Sequence, residues 1–365
     1  MREAMIPTPF KSNHASNIMP LNNGDLLCAW FGGSREGSPD IYILISRLKK
    51  GATEWTEPEI ISEDPTRSEQ NPVIFVDPDE RIWLFYTAQL GTDQSTSVVR
   101  YRISTDKGYS WSEVKTIFNK PGSFIRQPLI VTDSFEWLFP MYYSIRSKDS
   151  PWFGMDYSVV KISPDQGRSW KEYEVPFSTG LVHMNVVKLK DGRLKGFFRS
   201  RKADRIYAST SADNGRTWFR PLPTELPNNN ASMQATVLNN GHLAIVFNNI
   251  NADRYPVRSS VPPWIDANDA VGSSKDKESL AVWGVPRAPL TIAISEDEGE
   301  TWPYKRDLET DASKLPEGDN EGKSKGEFSY PSIKQTPDGK IHITYTYLRH
   351  AIKYVCITED WIGGE

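Results

Sequence analysis

The residues of this chain that suit acid–base chemistry stand in short polar groups, each next to a run of apolar residues. Neutral histidine can take or give a proton near pH 7, and a tyrosine beside a base can act as a nucleophile or an acid. Carboxylate side chains can also act as acids, bases or nucleophiles. The predicted catalytic residues are His14, Glu36, His183, Glu327 and Tyr330.

Arginine and amide side chains occur in the same polar groups. Guanidinium groups bind carboxylates through charge-assisted hydrogen bonds, so these groups together predict a pocket for an acidic ligand. No histidine–cysteine spacing indicates a metal site and no glycine-rich phosphate loop is present, so we expect no metal and no cofactor. The predicted substrate-binding residues are Arg35, Gln70, Asn71, Arg126, Gln127, Arg199, Arg201, Asn248 and Arg349.

An eight-residue pattern, Ser-x-Asp-x-Gly-x-(Ser/Thr)-Trp, recurs along the chain. Its aspartate can accept hydrogen bonds from turn amides, its glycine allows a positive φ, and its tryptophan can cover the turn. The pattern therefore predicts a structural hairpin turn, an Asp-box, rather than a catalytic site. The four copies are 104–111, 163–170, 211–218 and 295–302, and a degenerate copy runs from Ser46 to Trp55.

A second pattern, two apolar strands around a short polar turn, occurs six times, and four of these turns contain Asn-Gly or Asp-Gly. Six units in 365 residues leave about sixty residues each, enough for four short strands. We therefore predict an all-β fold: a six-bladed β-propeller with four Asp-box turns, forming a single domain over residues 1–365. Polar insertions interrupt it near 251–285 and 308–325. The predicted turns lie at residues 22–25, 77–80, 132–134, 190–192, 239–241 and 337–339.

In a propeller the innermost strands begin on one face, so the polar groups at these strand starts are expected to share one pocket. We expect His183 and Tyr330 to lie close enough for a direct proton relay or a bridging sugar, within roughly 10 Å. The tryptophans of the four turns should instead occupy equivalent outer positions. These are Trp111, Trp170, Trp218 and Trp302.

The turn motifs and the strand order resemble those of the sialidase (neuraminidase) superfamily, in its branch of BNR-repeat proteins. The resemblance covers essentially the whole chain and is carried further by the segments 31–37 (FGGSREG) and 327–333 (EFSYPSI). It implies a Tyr nucleophile at Tyr330 and substrate-binding arginines at Arg35 and at Arg199 or Arg201. It also implies an acid near Glu36 or Asp40.

Two departures from the sialidase pattern bear on activity. Met5 is interpreted as standing where sialidases have a substrate-binding arginine, and His183 where they have the glutamate beside the tyrosine. We therefore expect a carbohydrate-active enzyme, a glycoside hydrolase that cleaves a terminal linkage at an acidic sugar and is not an efficient sialidase. A lyase that uses His, Tyr and Arg for β-elimination at a uronate is an alternative. A non-catalytic propeller that binds glycan or protein is another.

Charge and hydropathy limit the partners of this chain. A net charge of −4 provides no basic surface for nucleic acid, and no apolar run is long enough to span a membrane. We expect an acidic glycan as partner, with neither nucleic acid nor membrane bound. Met1 to Phe10 lack the features of a secretory signal, which favours a cytoplasmic protein, or a secreted one if such a signal has been removed.

Overall fold

The computed structural model describes residues 1–62, 64–146, 154–255, 281–310 and 327–363. Their regular structure is almost entirely β, as the alternating strand patterns predict. The predicted insertions fall mainly on residues 256–280 and 311–326, which lie outside the described residues. Besides strands, the described residues contain a 3-10 turn at Ala252–Arg254 and a short helix, α1, at Glu359–Gly363; none of these helices could span a membrane.

The described strands are short and follow one another in hairpins. In chain order they are β1 Arg2–Ile6, β2 Ser12–Pro20, β3 Leu26–Gly33, β4 Tyr42–Leu48, β5 Glu59–Ile60, β6 Ser68–Val76, β7 Ile82–Leu90, β8 Asp93–Ser104, β9 Lys115–Phe118, β10 Ser123–Phe124, β11 Ile130–Val131, β12 Trp137–Tyr143, β13 Tyr157–Ser163, β14 Lys171–Glu174, β15 Leu181–Lys188, β16 Leu194–Ser200, β17 Arg205–Ser211, β18 Leu222–Pro227, β19 Gln234–Val237, β20 Leu243–Asn248, β21 Leu290–Ser295, β22 Tyr304–Glu309, β23 Phe328–Gln335, β24 Ile341–Tyr347 and β25 Ala351–Ile357.

The chain divides into two compact units. Unit 1, Met1–Arg126 with Tyr330–Glu365, holds the sheets β2-β3-β4-β5, β6-β7-β8-β9 and β1-β25-β24-β23. Unit 2, Gln127–Ser329, holds β12-β13-β14 with β11 on β12, then β15-β16-β17-β18 and β19-β20-β21-β22. The predicted organisation of residues 1–365 as a single domain stays a prediction. All six predicted turns join the first two strands of a sheet, where β23 counts as the first strand of its sheet because β1 is added at the opposite edge.

Within each unit, side chains on the first strand of one sheet bond to the first strand of the next. In unit 1 the amide oxygen of Asn17 accepts the Ile74 N–H at 2.9 Å. In unit 2 the amide oxygen of Asn185 accepts the Ala235 N–H at 2.7 Å. Because buried backbone N–H groups need acceptors, these bonds join neighbouring sheets at their first strands.

The repeated turn motif forms the hydrogen bonds that its residue types predict. At Asp213, one carboxylate oxygen accepts the Ser211 hydroxyl at 2.8 Å and the Thr217 N–H at 2.9 Å, and the other accepts the Thr217 hydroxyl at 2.7 Å. The same bonds recur at Asp106, Asp165 and Asp297. Each turn joins the third and fourth strands of its sheet, so the role of the motif is structural.

The tryptophans of these turns pack onto the strands beside them. Trp302 is 1% exposed and lies edge-on to Phe197, with their ring centroids 6.0 Å apart. Trp218 is buried and donates from its indole N–H to the Gly215 carbonyl at 3.0 Å. The two other tryptophans, Trp111 and Trp170, are half-buried. The expected structural role of these side chains is therefore confirmed in geometry.

We predict that Asp213→Ala lowers the free energy of unfolding by about 2 kcal/mol, because three donors lose a charged acceptor. Burial would raise the pKa of Asp213, but the hydrogen bonds from Thr217 and Ser211 outweigh it and lower this pKa below its ordinary value. Urea unfolding at pH 7 measures the change. Asp213→Asn keeps an acceptor oxygen, so its free energy of unfolding should fall by less. An Asp213→Ala variant as stable as the wild type would contradict the structural role.

His342 is a buried base on β24. Its ring nitrogens lie 2.8 Å from the Tyr354 hydroxyl and 3.0 Å from the Thr336 hydroxyl, and burial lowers its pKa to about 4. In the unfolded chain a histidine titrates near 6.5. Between pH 6.5 and 4 the unfolded chain therefore binds a proton that the folded protein does not, and stability falls as the pH falls.

From this shift we predict that acidification from pH 6.5 to 4 costs the wild type about 3 kcal/mol more than it costs His342→Gln. Glutamine retains donors and acceptors but does not titrate. Unfolding free energies of the two proteins across this pH range provide the comparison, in which the contributions of other groups cancel. Parallel pH profiles would show that His342 is not the group responsible.

Candidate active site

Several predicted site residues stand where the first strand of a sheet bulges. In unit 1 the pairing of β2 with β3 shifts register between His14 and Asn17, and Ala15 in this bulge has a φ of 58°. Tyr330 on β23 has a φ of 51°, and Asn71 on β6 has the same value. A positive φ is uncommon for residues other than glycine and costs about 1 kcal/mol or more. Such strain needs support from the surrounding structure.

In unit 1 the structure brings His14 and Tyr330 together. Their ring centroids are 4.1 Å apart with planes at 48°, and Tyr330 is 7% exposed. The Nδ1 atom of His14 lies 2.8 Å from the hydroxyl of Thr346, which also accepts the Ala15 N–H at 3.1 Å. Phe31 meets the imidazole edge-on at 5.4 Å. The histidine ring is thus held in one orientation against the tyrosine.

Arg126 lies beside this pair and is 1% exposed. Its Nη2 atom donates to the main-chain carbonyls of Ser16, Tyr330 and Pro331 at 3.1, 2.9 and 3.1 Å, and Nη1 lies 3.5 Å from that of Ala15. The predicted substrate contact of Arg126 stays a prediction, but these bonds to main-chain carbonyls favour a structural role.

Two further predicted residues of unit 1 pair with each other. The guanidinium of Arg349 lies 2.7 Å from the carboxylate of Glu36, and both side chains are mostly buried. Arg35, next in sequence to Glu36, is exposed. Gln70 donates from its side-chain amide to the Ser68 hydroxyl at 3.0 Å. Of the predicted substrate-binding arginines in unit 1, Arg35 alone is exposed to solvent.

Glu69 is a buried carboxylate in unit 1 that the sequence analysis did not select. Its Oε1 atom lies 3.2 Å from Arg100, which also pairs with Asp64 at 2.8 Å. Burial raises the pKa of Glu69. Burial, and next the negative charge of Glu69, raise the pKa of the Tyr86 phenol well above its usual range. Burial first, and the neighbouring carboxylate second, thus make this tyrosine hard to ionise.

In unit 2 two predicted arginines contact the same indole ring. The Cζ atoms of Arg199 and Arg201 lie 5.6 and 5.4 Å from the centroid of Trp283. Arg201 is paired with the buried Asp156, whose Oδ2 accepts its Nε and Nη2 at 3.0 and 2.7 Å. Arg199 donates from Nε to Asn230 at 2.8 Å. Asp156 and Trp283 belong to no motif, and so the sequence analysis missed both.

The other predicted residues of unit 2 are bound within the protein. Glu327 pairs with Arg287 at 2.5 Å and accepts the Ser329 hydroxyl. The ring of His183 lies 5.3 Å from that of Tyr142. Gln127 and Asn248 donate to main-chain carbonyls, of Met233 at 2.6 Å and of Phe328 at 2.8 Å. The predicted common pocket draws on residues of both units and stays a prediction, as does the His183–Tyr330 pair.

The interpretation of Met5 as a lost substrate-binding arginine is wrong. Met5 lies on β1, which is the edge strand of its sheet and pairs only with β25 there, and its side chain is 50% exposed. The first strand of the next sheet is β2, and His14 stands at its start, beside Tyr330. Position 14, rather than position 5, is therefore the N-terminal residue that bears on Tyr330.

Solved structures share this fold over nearly the whole chain. The Hadza microbial sialidase Hz136 is 18% identical with a TM-score of 0.69, covering 97% of this chain and 67% of that one. The Ruminococcus gnavus intramolecular trans-sialidase is 15% identical with a TM-score of 0.67, and the match covers 99% of this chain and 98% of that one. A Dyadobacter fermentans protein of unknown function is 17% identical with a TM-score of 0.71, covering 98% of both chains. These likenesses define the class: an all-β, six-bladed β-propeller of the sialidase type, as predicted.

The family follows from the sequence itself. Residues 24–343 match the BNR repeat-like domain. Since this match covers most of the chain, the protein belongs to the family of BNR repeat-like domain proteins, and the predicted membership of the sialidase superfamily is confirmed. None of the curated proteins compared with the chain matches it significantly.

Proposed function

We propose that this protein is a carbohydrate-active enzyme that cleaves a terminal glycosidic linkage at an acidic sugar. The observation that carries the proposal is the contact of His14 with Tyr330, whose rings lie 4.1 Å apart at the starts of two first strands in a fold of the sialidase type. A tyrosine needs a neighbouring base to act as a nucleophile or proton donor at neutral pH, and imidazole is suited to that task.

Hydrolysis is the first form of the proposal. The phenolic oxygen of Tyr330 attacks the anomeric carbon as the glycosidic bond breaks, and the leaving oxygen takes a proton. Water then attacks the same carbon, releases the phenol and supplies the new hydroxyl. His14 takes the phenolic proton and gives it to the leaving oxygen; in the second half it takes a proton from the attacking water and gives it to the released phenolate.

The same pair of side chains also fits β-elimination at a uronate. There a base removes the proton α to the carboxylate, the β C–O bond breaks, and the leaving oxygen is protonated, so no water is consumed. The phenolate of Tyr330 is a suitable base and His14 a suitable proton donor. An arginine that neutralises the carboxylate lowers the cost of removing the α proton. Within unit 1, Arg35 is the candidate for this contact.

A screen on uronate-capped and sialate-capped oligosaccharides tests the proposal. Ultraviolet absorbance detects the unsaturated product of elimination, whereas new reducing ends without this absorbance indicate hydrolysis. Activity lost in Tyr330→Phe and in His14→Gln would support the proposed pair. Glycan binding with no cleavage of any acidic oligosaccharide would overturn the proposal in favour of a non-catalytic propeller.

A further inference from the structure

Arg126 makes the main-chain geometry around Tyr330 possible. Ala15 and Tyr330 both have positive φ values, and main-chain carbonyls of these two residues and of their neighbours Ser16 and Pro331 converge on one guanidinium. A planar fork of donors can bind several carbonyls at once, which a lysine ammonium at the end of a flexible chain does less well. The positive-φ segments of β2 and β23 are thus held together at Arg126, and with them the ring contact of His14 with Tyr330.

The charge of Arg126 has no counterion in the described part of unit 1. Its hydrogen bonds go to neutral carbonyls, and no carboxylate of the described residues pairs with it. Burial lowers the pKa of Arg126 to about 10, so the group is still positive at neutral pH. Its Cζ atom lies 5.4 Å from the ring centroid of Tyr330. A buried unpaired cation favours a negative charge on a group this near.

We infer that Arg126 is a positioning residue that prepares Tyr330 for the reaction proposed above: it fixes the two positive-φ segments that carry the His14–Tyr330 contact, and its positive charge stabilises the phenolate of Tyr330. The role of Arg126 in catalysis rests on the proposed function, whereas the experiment that tests it requires no catalytic turnover. Tyr86 is a comparison in the same unit, because burial, and next the carboxylate of Glu69, raise the pKa of its phenol.

Three titratable side chains around Tyr330 and Arg126 bear on the titration. His14 on β2 contacts the ring of Tyr330, Arg126 lies beside it, and the thiol of Cys28 on β3 interacts with Arg126. Burial raises the pKa of Cys28 to about 12, so this thiol is neutral over the working range. Arg126 therefore places a positive charge next to Tyr330 at neutral pH.

The test is an NMR titration of the full chain labelled with ¹³Cζ-tyrosine, in which Tyr330→Phe identifies the Tyr330 signal among the 15 tyrosines. We expect the wild-type Tyr330 signal to titrate at a lower pH than the signal of Tyr86, whose pKa burial raises. Arg126→Met should raise it by about one to two units, the effect of a unit charge at this distance in a partly screened site. Arg126→Lys keeps the charge and should stay within about half a unit of the wild type.

Arg47→Met is the matched control. Arg47 is also a buried arginine of unit 1, paired with Asp25 at 2.9 Å, and it lies in the turn region of its sheet. This variant should lose stability while the Tyr330 signal titrates as in the wild type. If Arg126→Met lowers the melting temperature without moving the Tyr330 titration, Arg126 is a structural residue only and the inference is overturned.

If Arg126→Met does not fold, the Tyr330 titration of the wild-type protein tests the inference by itself. A Tyr330 signal that titrates no lower than the signal of the buried Tyr86 shows that the guanidinium does not stabilise the phenolate, and it overturns the inference. Because the titration needs no turnover, its result is independent of the substrate screen. A negative screen with a lowered Tyr330 pKa would refute the proposed reaction and leave the role of Arg126 intact.

Discussion

Tyr330→Phe is expected to lower kcat/KM on the best acidic glycan by about 10³-fold, with a smaller change in KM. The variant keeps the ring that packs on His14 at 4.1 Å and the main chain that binds Arg126, and it removes only the hydroxyl. The loss should therefore appear in the chemical step, whether the phenol acts as nucleophile or as proton carrier. Steady-state kinetics over a range of pH values measures it.

Tyr86→Phe is the matched control for this experiment. Tyr86 is fully buried in the same unit, and its hydroxyl has no hydrogen-bond partner among the described residues. Its removal should leave kcat/KM within about twofold of the wild type, because no interaction is lost. If Tyr330→Phe behaved like Tyr86→Phe in these assays, Tyr330 would be a packing residue and another group would carry the reaction.

Turnover of sialyl-lactose or an aryl sialoside is expected to be at least about 10²-fold slower than turnover of the best uronate substrate. The physical reason is that few arginine side chains have N–H donors left for the carboxylate of a substrate. Within unit 1, Arg126 binds main-chain carbonyls and Arg349 binds Glu36. Losing one charge-assisted contact to a desolvated carboxylate costs about 2–5 kcal/mol, which is about one and a half to nearly four decades in rate.

This prediction does not depend on Met5, which lies on an edge strand. It depends on Arg126 and Arg349 keeping these partners when a substrate binds. Variants of their partners test that point: Glu36→Gln frees Arg349 and should increase, not decrease, any residual sialoside turnover. Rapid turnover of a sialoside by the wild-type protein, abolished in Tyr330→Phe, would show that the arginines re-form a carboxylate site and that the prediction is wrong.

The turn motifs and the strand order were predictable because they are local. The hydrogen bonds of Asp213 reach no further than Ser211 and Thr217, and the glycine and tryptophan of the motif act within the same turn. Because the interactions of the motif stay within one turn, the repeats in the sequence were enough to predict six sheets of similar construction. The starts of the first strands could likewise be located, which selected both His14 and Tyr330.

The partners of these side chains were not predictable, since they come from distant parts of the chain. Arg126 binds carbonyls about 110 and 204 residues away, and the sequence does not show that they converge. A guanidinium binds a ligand carboxylate, a protein carboxylate or main-chain carbonyls with the same donors, so residue type leaves its role open. The sequence determined the fold and which strand start carries each reactive group. The tertiary structure decided that His14 faces Tyr330 and that Arg126 serves the main chain, because only packing selects one of several equivalent partners.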